Sequence, residues 1–199
     1  MGRAALGRTA NPDAGAGEFS DEELMARVRE GETERLGELF ARYGERLYRY
    51  CWRMNQDRQL SEDLVQEAFC RVLRFRSGFR DGHRFEAWVY SIVRNLQMDQ
   101  FRRRKFEGDW DGEREAVAGG ESAAERVGAR QELELLHEAL RRLPPAKREL
   151  LIWARLEEMP HERIAEILGC EAGAARVRLH RALASLREVY GELVEQRKK

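Results

Sequence analysis

Two segments of this sequence carry arginines at spacings that suit contact with nucleic acid. In the first segment, Arg94 lies eight residues before Arg102, so both side chains fall on one helix face and can follow a line of phosphates. Asn95, Arg103 and Arg104 extend this basic surface, and a loop with Arg80 and Arg84 precedes it and could receive an unstacked base. The competing interpretation is a hydrophobic core with a solvated basic face, and for Trp88 we favour the core.

The second segment has the pattern of a helix-turn-helix motif. A short helix at residues 161–168 precedes a turn at Gly169 and Cys170, and a helix with Arg176 and Arg178 follows. The apolar side chains expected to pack these two helices together are Ile164, Ala165, Leu168, Val177 and Leu183. Arg176 and Arg178 would then be free to face a major groove, with His180 and Arg181 beside them. A helical hairpin with a solvated basic face is the alternative, because such turns also occur in proteins that bind no DNA.

Enzymatic chemistry is the weakest interpretation of this composition. The four histidines stand apart from carboxylates and cysteines, in no pattern typical of a catalytic triad or a metal site, so we expect no catalytic residue, metal or cofactor. The cysteines Cys51, Cys70 and Cys170 form no CxxC pair, which favours free thiols in a reducing compartment. We expect all three thiols to be buried in the core.

Charge and hydropathy indicate a globular protein whose partners are charged. The 36 basic and 36 acidic residues cancel, but the acidic residues crowd positions 13–38 and the basic residues crowd positions 94–105. A net charge of zero therefore does not exclude nucleic acid. No apolar stretch approaches the roughly 20 residues that a membrane span needs, so we expect a cytoplasmic protein without membrane insertion.

Hydrophobic periodicity predicts helices throughout and no strands, hence an all-α fold. Ser20 and Glu23 can form a capping box, and Gly31 should end the helix that it begins. Ser61 is the predicted N-cap of a later helix, with Glu62 and Asp63 in its first turn. Further helices are expected from residue 33 to beyond residue 54, and at residues 85–105, 125–142, 145–157, 161–168 and 172–188.

The chain divides where the apolar pattern stops. We expect a disordered leader at residues 1–17, a first domain at 18–106, a flexible acidic linker at 107–124 and a second domain at 125–193. Glycine and acidic residues dominate the predicted linker. The prediction is thus two small helical domains joined by a flexible acidic linker, the second domain with a helix-turn-helix.

The motifs of both domains resemble one family. The first domain contains DLVQEAF at 63–69, FEAWVYSIVRN at 85–95, and Asp99 followed by three arginines at 102–104; the second contains LPPAKRE at 143–149, IAEILG at 164–169 and GAARVRLHRA at 173–182. These stretches resemble domains two and four of the extracytoplasmic-function sigma factors, the promoter-specificity subunits of bacterial RNA polymerase. They occur in the order of that family over residues 18–193, and two independent blocks seldom agree by chance.

This resemblance implies three binding surfaces. Core RNA polymerase would dock on Asp63, Gln66 and Glu67. The non-template strand of the promoter's minus-ten element would meet Arg80, Arg84, Arg94, Asn95, Arg102, Arg103 and Arg104. The minus-thirty-five element would meet Glu171, Ala174, Arg176, Arg178, His180 and Arg181. An anti-sigma factor is a further expected partner.

The sequence departs from the family at the start of the recognition helix. Positions that usually hold Ser, Thr or Val are Glu171, Ala174 and Ala175 here, so Glu171 would cap the helix and the base preference could be unusual. Two other functions remain open. A helix-turn-helix regulator would leave the motifs of the first domain unexplained, and a sigma mimic that sequesters an anti-sigma factor would be expected to lose the arginines at 102–104.

Overall fold

The protein is described by a computed structural model that covers residues 19–106 and 125–197. Within these ranges it consists of helices and the turns between them, and it contains no strand, which confirms the all-α prediction. The helices are α1 (Asp21–Glu30), α2 (Leu36–Asn55), α3 (Arg58–Arg74), α4 (Phe85–Phe106), α5 (Glu125–Arg142), α6 (Pro145–Leu151), α7 (His161–Leu168) and α8 (Ala172–Arg197). The predicted leader and the predicted acidic linker lie outside the described residues.

Local signals at the start of the first domain have the predicted effects. The Ser20 hydroxyl accepts a hydrogen bond from the Glu23 amide at 3.2 Å, and the Glu23 carboxylate accepts one from the Ser20 amide at 2.7 Å. Gly31 ends α1 with a φ of 115°, a conformation that a residue with a Cβ adopts only at a cost in free energy. A single 3₁₀ turn, Thr33–Arg35, then leads into α2.

The predicted start of α3 was wrong. Asp57 is the N-cap, since its carboxylate accepts a hydrogen bond from the Leu60 amide at 3.0 Å. Ser61 lies inside the helix, fully buried, and its hydroxyl donates to the Asp57 carbonyl at 2.6 Å. Both residues are good N-caps, and the earlier one begins the helix.

Helices α1 to α4 enclose the core of the first domain. Its largest buried side chains include Leu24, Met25, Leu39, Leu47, Tyr50, Phe85 and Tyr90. Trp88 is half-buried and packs on Phe79, with ring centroids 5.2 Å apart, in agreement with the core role that we favoured. Only Cys51 is a buried thiol, because Cys70 points outward from α3 and Cys170 is half-buried in a turn; the expectation of three buried thiols was wrong.

Helices α5 to α8 form the second domain around α8. The predicted helix at 145–157 is α6 continued by a π-helical turn, Ile152–Leu156, whose Trp153 is fully buried. Helix α8 extends to Arg197, nine residues beyond its predicted end at 188. The second domain also packs against the first, so that one continuous hydrophobic core runs through both.

Candidate polymerase and nucleic-acid interfaces

Helix α3 presents a polar face to solvent and an apolar face to the core. Asp63 and Gln66 are exposed and Glu67 is half-exposed, whereas Leu64, Phe69 and Val72 are buried. Hydrogen bonds one turn apart order the polar face, from Gln59 to Asp63 at 2.9 Å and from Arg71 to Glu67 at 2.8 Å. The structure therefore brings the three predicted polymerase-binding residues together on one accessible surface.

The loop before α4 is anchored at both ends and exposed between them. Phe79 is buried at its start, and at its end the amide of Phe85 donates to the Glu22 carboxylate of α1 at 3.1 Å. The Arg29 guanidinium donates to the Phe79 carbonyl at 3.1 Å and to the Asp81 carboxylate at 2.9 Å. Residues 80–84, including Arg80 and Arg84, are all exposed. Such a loop can bind a ligand without losing its own packing.

The last turns of α4 carry most of the predicted basic surface. Asn95, Arg102 and Arg103 are exposed, and Arg104 is half-exposed. Arg102 forms an ion pair with Asp99 one turn before it, and Arg104 lies 3.8 Å from the carboxylate of Asp57. The exposed pair of Arg102 with Asp99 contributes little to stability, so Arg102 can exchange its carboxylate for a phosphate at small cost.

Arg94 departs from this pattern because it meets the second domain. Its Nε donates to both carboxylate oxygens of Glu149 on α6, at 3.0 and 3.1 Å, and the Glu149 side chain is almost fully buried. Burial raises the pKa of Glu149 to about 7, and the charge of Arg94 and hydrogen bonds to the carboxylate oppose that rise. In this structure the Arg94 guanidinium is paired with a carboxylate of the second domain. It is thereby set apart from the other arginines of the predicted minus-ten surface.

The helix-turn-helix has the predicted geometry in its turn and its support helix. Gly169 ends α7 with a φ of 61°, and the Cys170 amide donates to the Ala165 carbonyl at 3.0 Å. Ile164, Ala165 and Ile167 are buried, and Leu168 and Leu183 pack against the core. Val177 was wrongly assigned to the packing between the two helices, because half of its surface is exposed.

The start of α8 buries one side of the helix and exposes the rest. The buried residues there are Ala175, Leu179 and Ala182, while Glu171, Ala174, Arg176, Arg178, His180 and Arg181 are exposed. Arg176 and Arg178 are two residues apart, which places them about 200° apart around the helix. They therefore flank the exposed surface from opposite sides. Arg178 shares its side with Ala174 and Arg181, at spacings of four and three.

Sequence reasoning missed the charged residues that join the two domains. Glu86 on α4 lies against Arg46 of its own domain at 2.9 Å and against Arg163 of α7. Arg148 donates to the Met54 carbonyl of α2 at 2.9 Å, although burial lowers the pKa of its guanidinium to about 10. One sequence signal could have revealed the burial of Arg148 and Glu149. Both residues directly precede the apolar residues 150–153, beside which a solvated face is not expected.

A metal site and a membrane-spanning helix are both absent from the residues that the structure describes. Among them, no group of three or more His, Cys, Asp or Glu side chains is arranged to hold a metal ion. None of the helices in the described ranges is long and apolar enough to cross a membrane.

Comparison with protein families matches both domains separately. Residues 39–107 match the family Sigma-70 region 2, and residues 133–186 match the family Sigma-70, region 4. The first match covers α2 to α4 with the α3 face and the basic end of α4. The second covers most of α5, the helix-turn-helix and the start of α8.

Individual relatives are similar over most of the chain. The RNA polymerase sigma factor CarQ of Myxococcus xanthus is 35% identical over 85% of this chain and 97% of its own length. The ECF RNA polymerase sigma factor EcfG of Rhodopseudomonas palustris is 35% identical over 66% of this chain and 71% of its own length.

Among solved structures, CnrH in complex with the cytosolic domain of CnrY gives a TM-score of 0.64 at 23% identity, over 86% of this chain and 97% of that one. The sigma factor RpoE of Bartonella quintana, in complex with the anti-sigma factor NepR, gives a TM-score of 0.58 at 25% identity, over 77% of this chain and 94% of that one. The first likeness shows the fold alone.

Proposed function

Because this chain belongs to the extracytoplasmic-function family of RNA polymerase sigma factors and is a promoter-recognising subunit, we propose how its surfaces divide that function. The domain of residues 18–106 binds core RNA polymerase and the minus-ten element, and the domain of residues 125–193 binds the minus-thirty-five element. The observation that carries the proposal is that the exposed α3 face, the 80–84 loop and the exposed start of α8 each fall inside a family-matching segment.

Core polymerase docks on the polar face of α3. Asp63 and Gln66 are free of packing roles, so they can form ion pairs and hydrogen bonds with a basic partner surface without unfolding the domain. Polymerase holds the two domains at the separation of the two promoter elements, and each domain then binds its element at a high effective concentration.

The minus-ten element meets the loop and the basic end of α4. Exposed Arg80 and Arg84 lie where an unstacked base can enter, and Arg102, Arg103 and Arg104 follow the phosphates of the same strand. Unstacking a base costs a few kcal/mol, so binding energy from polymerase and from the second domain must support strand opening.

The minus-thirty-five element meets α8 in the major groove. Arg178 and Arg181 share one side of the helix with Ala174 and can reach base edges, which arginine contacts bidentately at guanine. Arg176, on the other side, is placed for a phosphate, with His180 on the exposed surface between them. Glu171 lies immediately before the helix, and its carbonyl accepts the Ala175 amide at 3.0 Å.

Three further properties follow from this function. The chain acts in the cytoplasm, where bacterial polymerase transcribes, and it binds DNA without catalysing a reaction. The RpoE structure described above contains an anti-sigma factor, and we include a partner of that kind here. An anti-sigma factor of this chain would cover both the arginines at 102–104 and the basic start of α8, which would silence promoter opening.

A reconstituted transcription reaction tests the proposal. Purified core polymerase is given DNA fragments from the source genome, with and without this chain, and the 5′ ends of the transcripts are mapped. We expect start sites that depend on the chain and share sequence at two upstream elements. Transcripts that start at the same places with and without the chain would contradict the proposed function.

A further inference from the structure

Helix α1 contacts both ends of the loop that precedes α4. Near the end of α1, the Arg29 guanidinium donates to the Phe79 carbonyl at 3.1 Å, and near its start the Glu22 carboxylate accepts from the Phe85 amide at 3.1 Å. Arg29 follows Glu22 by seven residues in the sequence. Seven residues are two helical turns, so both side chains lie on one side of α1, about 10 Å apart along its axis. The start and the end of the loop are therefore fixed to the same side of α1.

The Glu22 contact supplies a cap that α4 lacks in its own sequence. The first amides of a helix have no hydrogen-bond partner inside the helix, and a Ser, Thr, Asp or Asn just before it usually accepts one of them. The residues before α4 are His83 and Arg84, which are not side chains of that kind. Glu22, which lies 63 residues earlier, accepts the Phe85 amide instead. Helix α1 thus fixes the point at which the loop ends and α4 begins.

The Arg29 contact fixes a turn inside the loop. Residues 80–83 form a turn that is closed by a hydrogen bond of 3.2 Å from the amide of the fourth residue to the carbonyl of the first. Gly82, the third residue, has a φ of 83°, and Asp81, the second, does not have a positive φ. This combination defines a type II turn. The Asp81 side chain is 85% exposed and pairs with Arg29 at 2.9 Å, so this ion pair ties the turn to α1.

Helix α1 is fixed in the domain independently of the loop. Its apolar side chains Leu24, Met25 and Val28 are fully buried in the core of the first domain. Its first residue, Asp21, also pairs with Arg42 of α2 at 2.6 Å. The side chains that contact the loop therefore project from a helix whose own position is set by other residues.

The loop needs such an external support because it has no core of its own. Residues 80–84 are all exposed, so no apolar side chain among them holds their shape. A loop that changes shape easily accepts several bases, whereas a fixed loop leaves the polar groups of a wrong base without partners. The contacts from α1 thus have a direct consequence for selectivity.

We propose that Arg29 and Glu22 are positioning residues for base selection: they act from α1, without touching DNA, by fixing the shape of the loop that receives the unstacked minus-ten base. The inference rests on the proposed function in assigning the loop to that base. It extends the site to α1, which lies outside the residues 39–107 that match Sigma-70 region 2. Loss of either contact should relax the preference among bases at one position of the promoter.

The cap from Glu22 is tested in the free chain, without polymerase or DNA. Glu22→Ala removes the acceptor, whereas Glu22→Gln keeps an acceptor oxygen and removes the same charge from the first turn of α1. The measurement is hydrogen exchange of the Phe85 amide, followed by NMR. Loss of a hydrogen bond to a charged group should speed this exchange about 10- to 150-fold in Glu22→Ala. Glu22→Gln should stay close to the parent, and equal exchange in the parent and Glu22→Ala would overturn the cap.

Base selection is measured with holoenzyme. The probe is a fluorescein-labelled single-stranded oligonucleotide with the non-template minus-ten sequence of a promoter mapped in the transcription reaction, together with each of its single-base substitutions. One bound base is worth about 5- to 150-fold in affinity, and Arg29→Ala and Glu22→Ala should lose most of that preference at one shared position. Arg27→Ala is the matched control, because Arg27 lies on the same helix but pairs with Glu32 and covers the Phe19 ring at 4.0 Å. It should keep the preference of the parent.

Two further results separate positioning from direct contact with DNA. If Arg29 bound a phosphate itself, Arg29→Ala would weaken all oligonucleotides alike and reduce the slope of log affinity against log salt by about 0.7, which would overturn the proposal. Gly82→Ala changes the same turn from within, because alanine is strained at a φ of 83° while its Cβ would meet no atom within 4 Å. Gly82→Ala removes no side chain, so it should lose the same preference as Arg29→Ala through the turn alone. An unchanged preference in Gly82→Ala would also contradict the proposal.

Failure of this inference differs from failure of the proposed function. A parent holoenzyme that shows no preference among bases of this element would remove the proposed role of the loop, and the exchange rates would still report whether α1 fixes it. A parent that discriminates between bases, with Arg29→Ala and Glu22→Ala that discriminate equally well, would overturn the positioning role alone.

Discussion

The two helices proposed to bind DNA differ in what their arginines meet in the free chain. On α8, Arg176, Arg178 and Arg181 are exposed. On α4, the exposed arginines stand at the far end, while Arg94 is held by a buried carboxylate of the other domain. Of the arginines proposed to bind DNA, those of α8 are therefore all exposed, whereas Arg94 of α4 is already paired with a carboxylate of the other domain.

The difference has a physical origin in what each helix must bury. Helix α8 buries one side, against the second domain, and solvates the rest. Helix α4 buries two sides, and one of them is polar, with Glu86, Arg94 and Gln97 among its members. Burial of a charged group is costly unless the group is paired, and Glu86 and Arg94 both pair with residues of the second domain.

The largest expected effect comes from the proposed polymerase-binding face of α3. Asp63→Arg reverses the charge of an exposed residue on α3 and should abolish co-purification with core polymerase, with the thermal unfolding midpoint unchanged. Glu45→Arg makes the same charge change on α2, where the Glu45 side chain is 72% exposed, and should retain binding. Undiminished binding by Asp63→Arg would remove the proposed role of α3.

The next effect concerns the reading of bases by α8. Arg178→Ala should relax the preference among minus-thirty-five sequences by about 1–3 kcal/mol, or about 5- to 150-fold in relative affinity. Arg176→Ala is the comparison variant, since Arg176 lies on the other side of the helix and should weaken all sequences alike. The measurement is holoenzyme binding to a panel of promoters with single changes in this element. Identical profiles for the two variants would contradict the division of α8 into two sides.

Much of this fold was predictable because its signals are local. The capping box at Ser20 and the turns at Gly31 and Gly169 depend on residues within one helical turn, and all three were predicted correctly. The start of α3 was not, because Asp57 and Ser61 are both good caps and the choice between them depends on hydrogen bonds that the pattern does not rank. Exposure of Val177 similarly depends on the crossing of α7 and α8.

The pairing of residues across the domain contact had no local signal. Arg94 and Glu149 are 55 residues apart, with the predicted linker between them. The resemblance to a known family placed Arg94 on DNA, but it gave no reason to pair it with the LPPAKRE motif. Only the three-dimensional arrangement shows that Arg94 pairs with Glu149 of that motif.

A smaller effect is expected at the exposed end of α4. Arg103→Ala removes one phosphate contact, so it should weaken all promoters equally and reduce the slope of log affinity against log salt by about one. Strand opening, followed with a fluorescent base in the minus-ten element, should fail while binding of the duplex persists. Arg178→Ala should show the opposite combination. Similar profiles for the two variants in both readouts would mean that α4 and α8 do not divide strand opening and duplex recognition between them.

The smallest expected effect is a dependence of stability on pH. In the folded chain burial raises the pKa of Glu149 to about 7, and a solvated glutamate has a pKa of about 4.3. The Arg94 guanidinium and the Tyr50 hydroxyl face this carboxyl, and burial raises the pKa of Tyr50 well above its usual value. Of the two acids, Glu149 is therefore the one expected to change its charge near neutrality.

The folded chain consequently binds a proton at Glu149 more tightly than the unfolded chain does. The stabilisation by this proton is complete below about pH 4.3 and is lost as the pH rises through about 7. Glu149→Gln leaves every other titrating group in place and removes this one. Between pH 5.5 and 8, the thermal unfolding midpoint of the parent should therefore fall relative to that of Glu149→Gln. A midpoint that rises relative to that of the variant, or an equal response in the two proteins, would mean that Glu149 is not the buried acid of the contact.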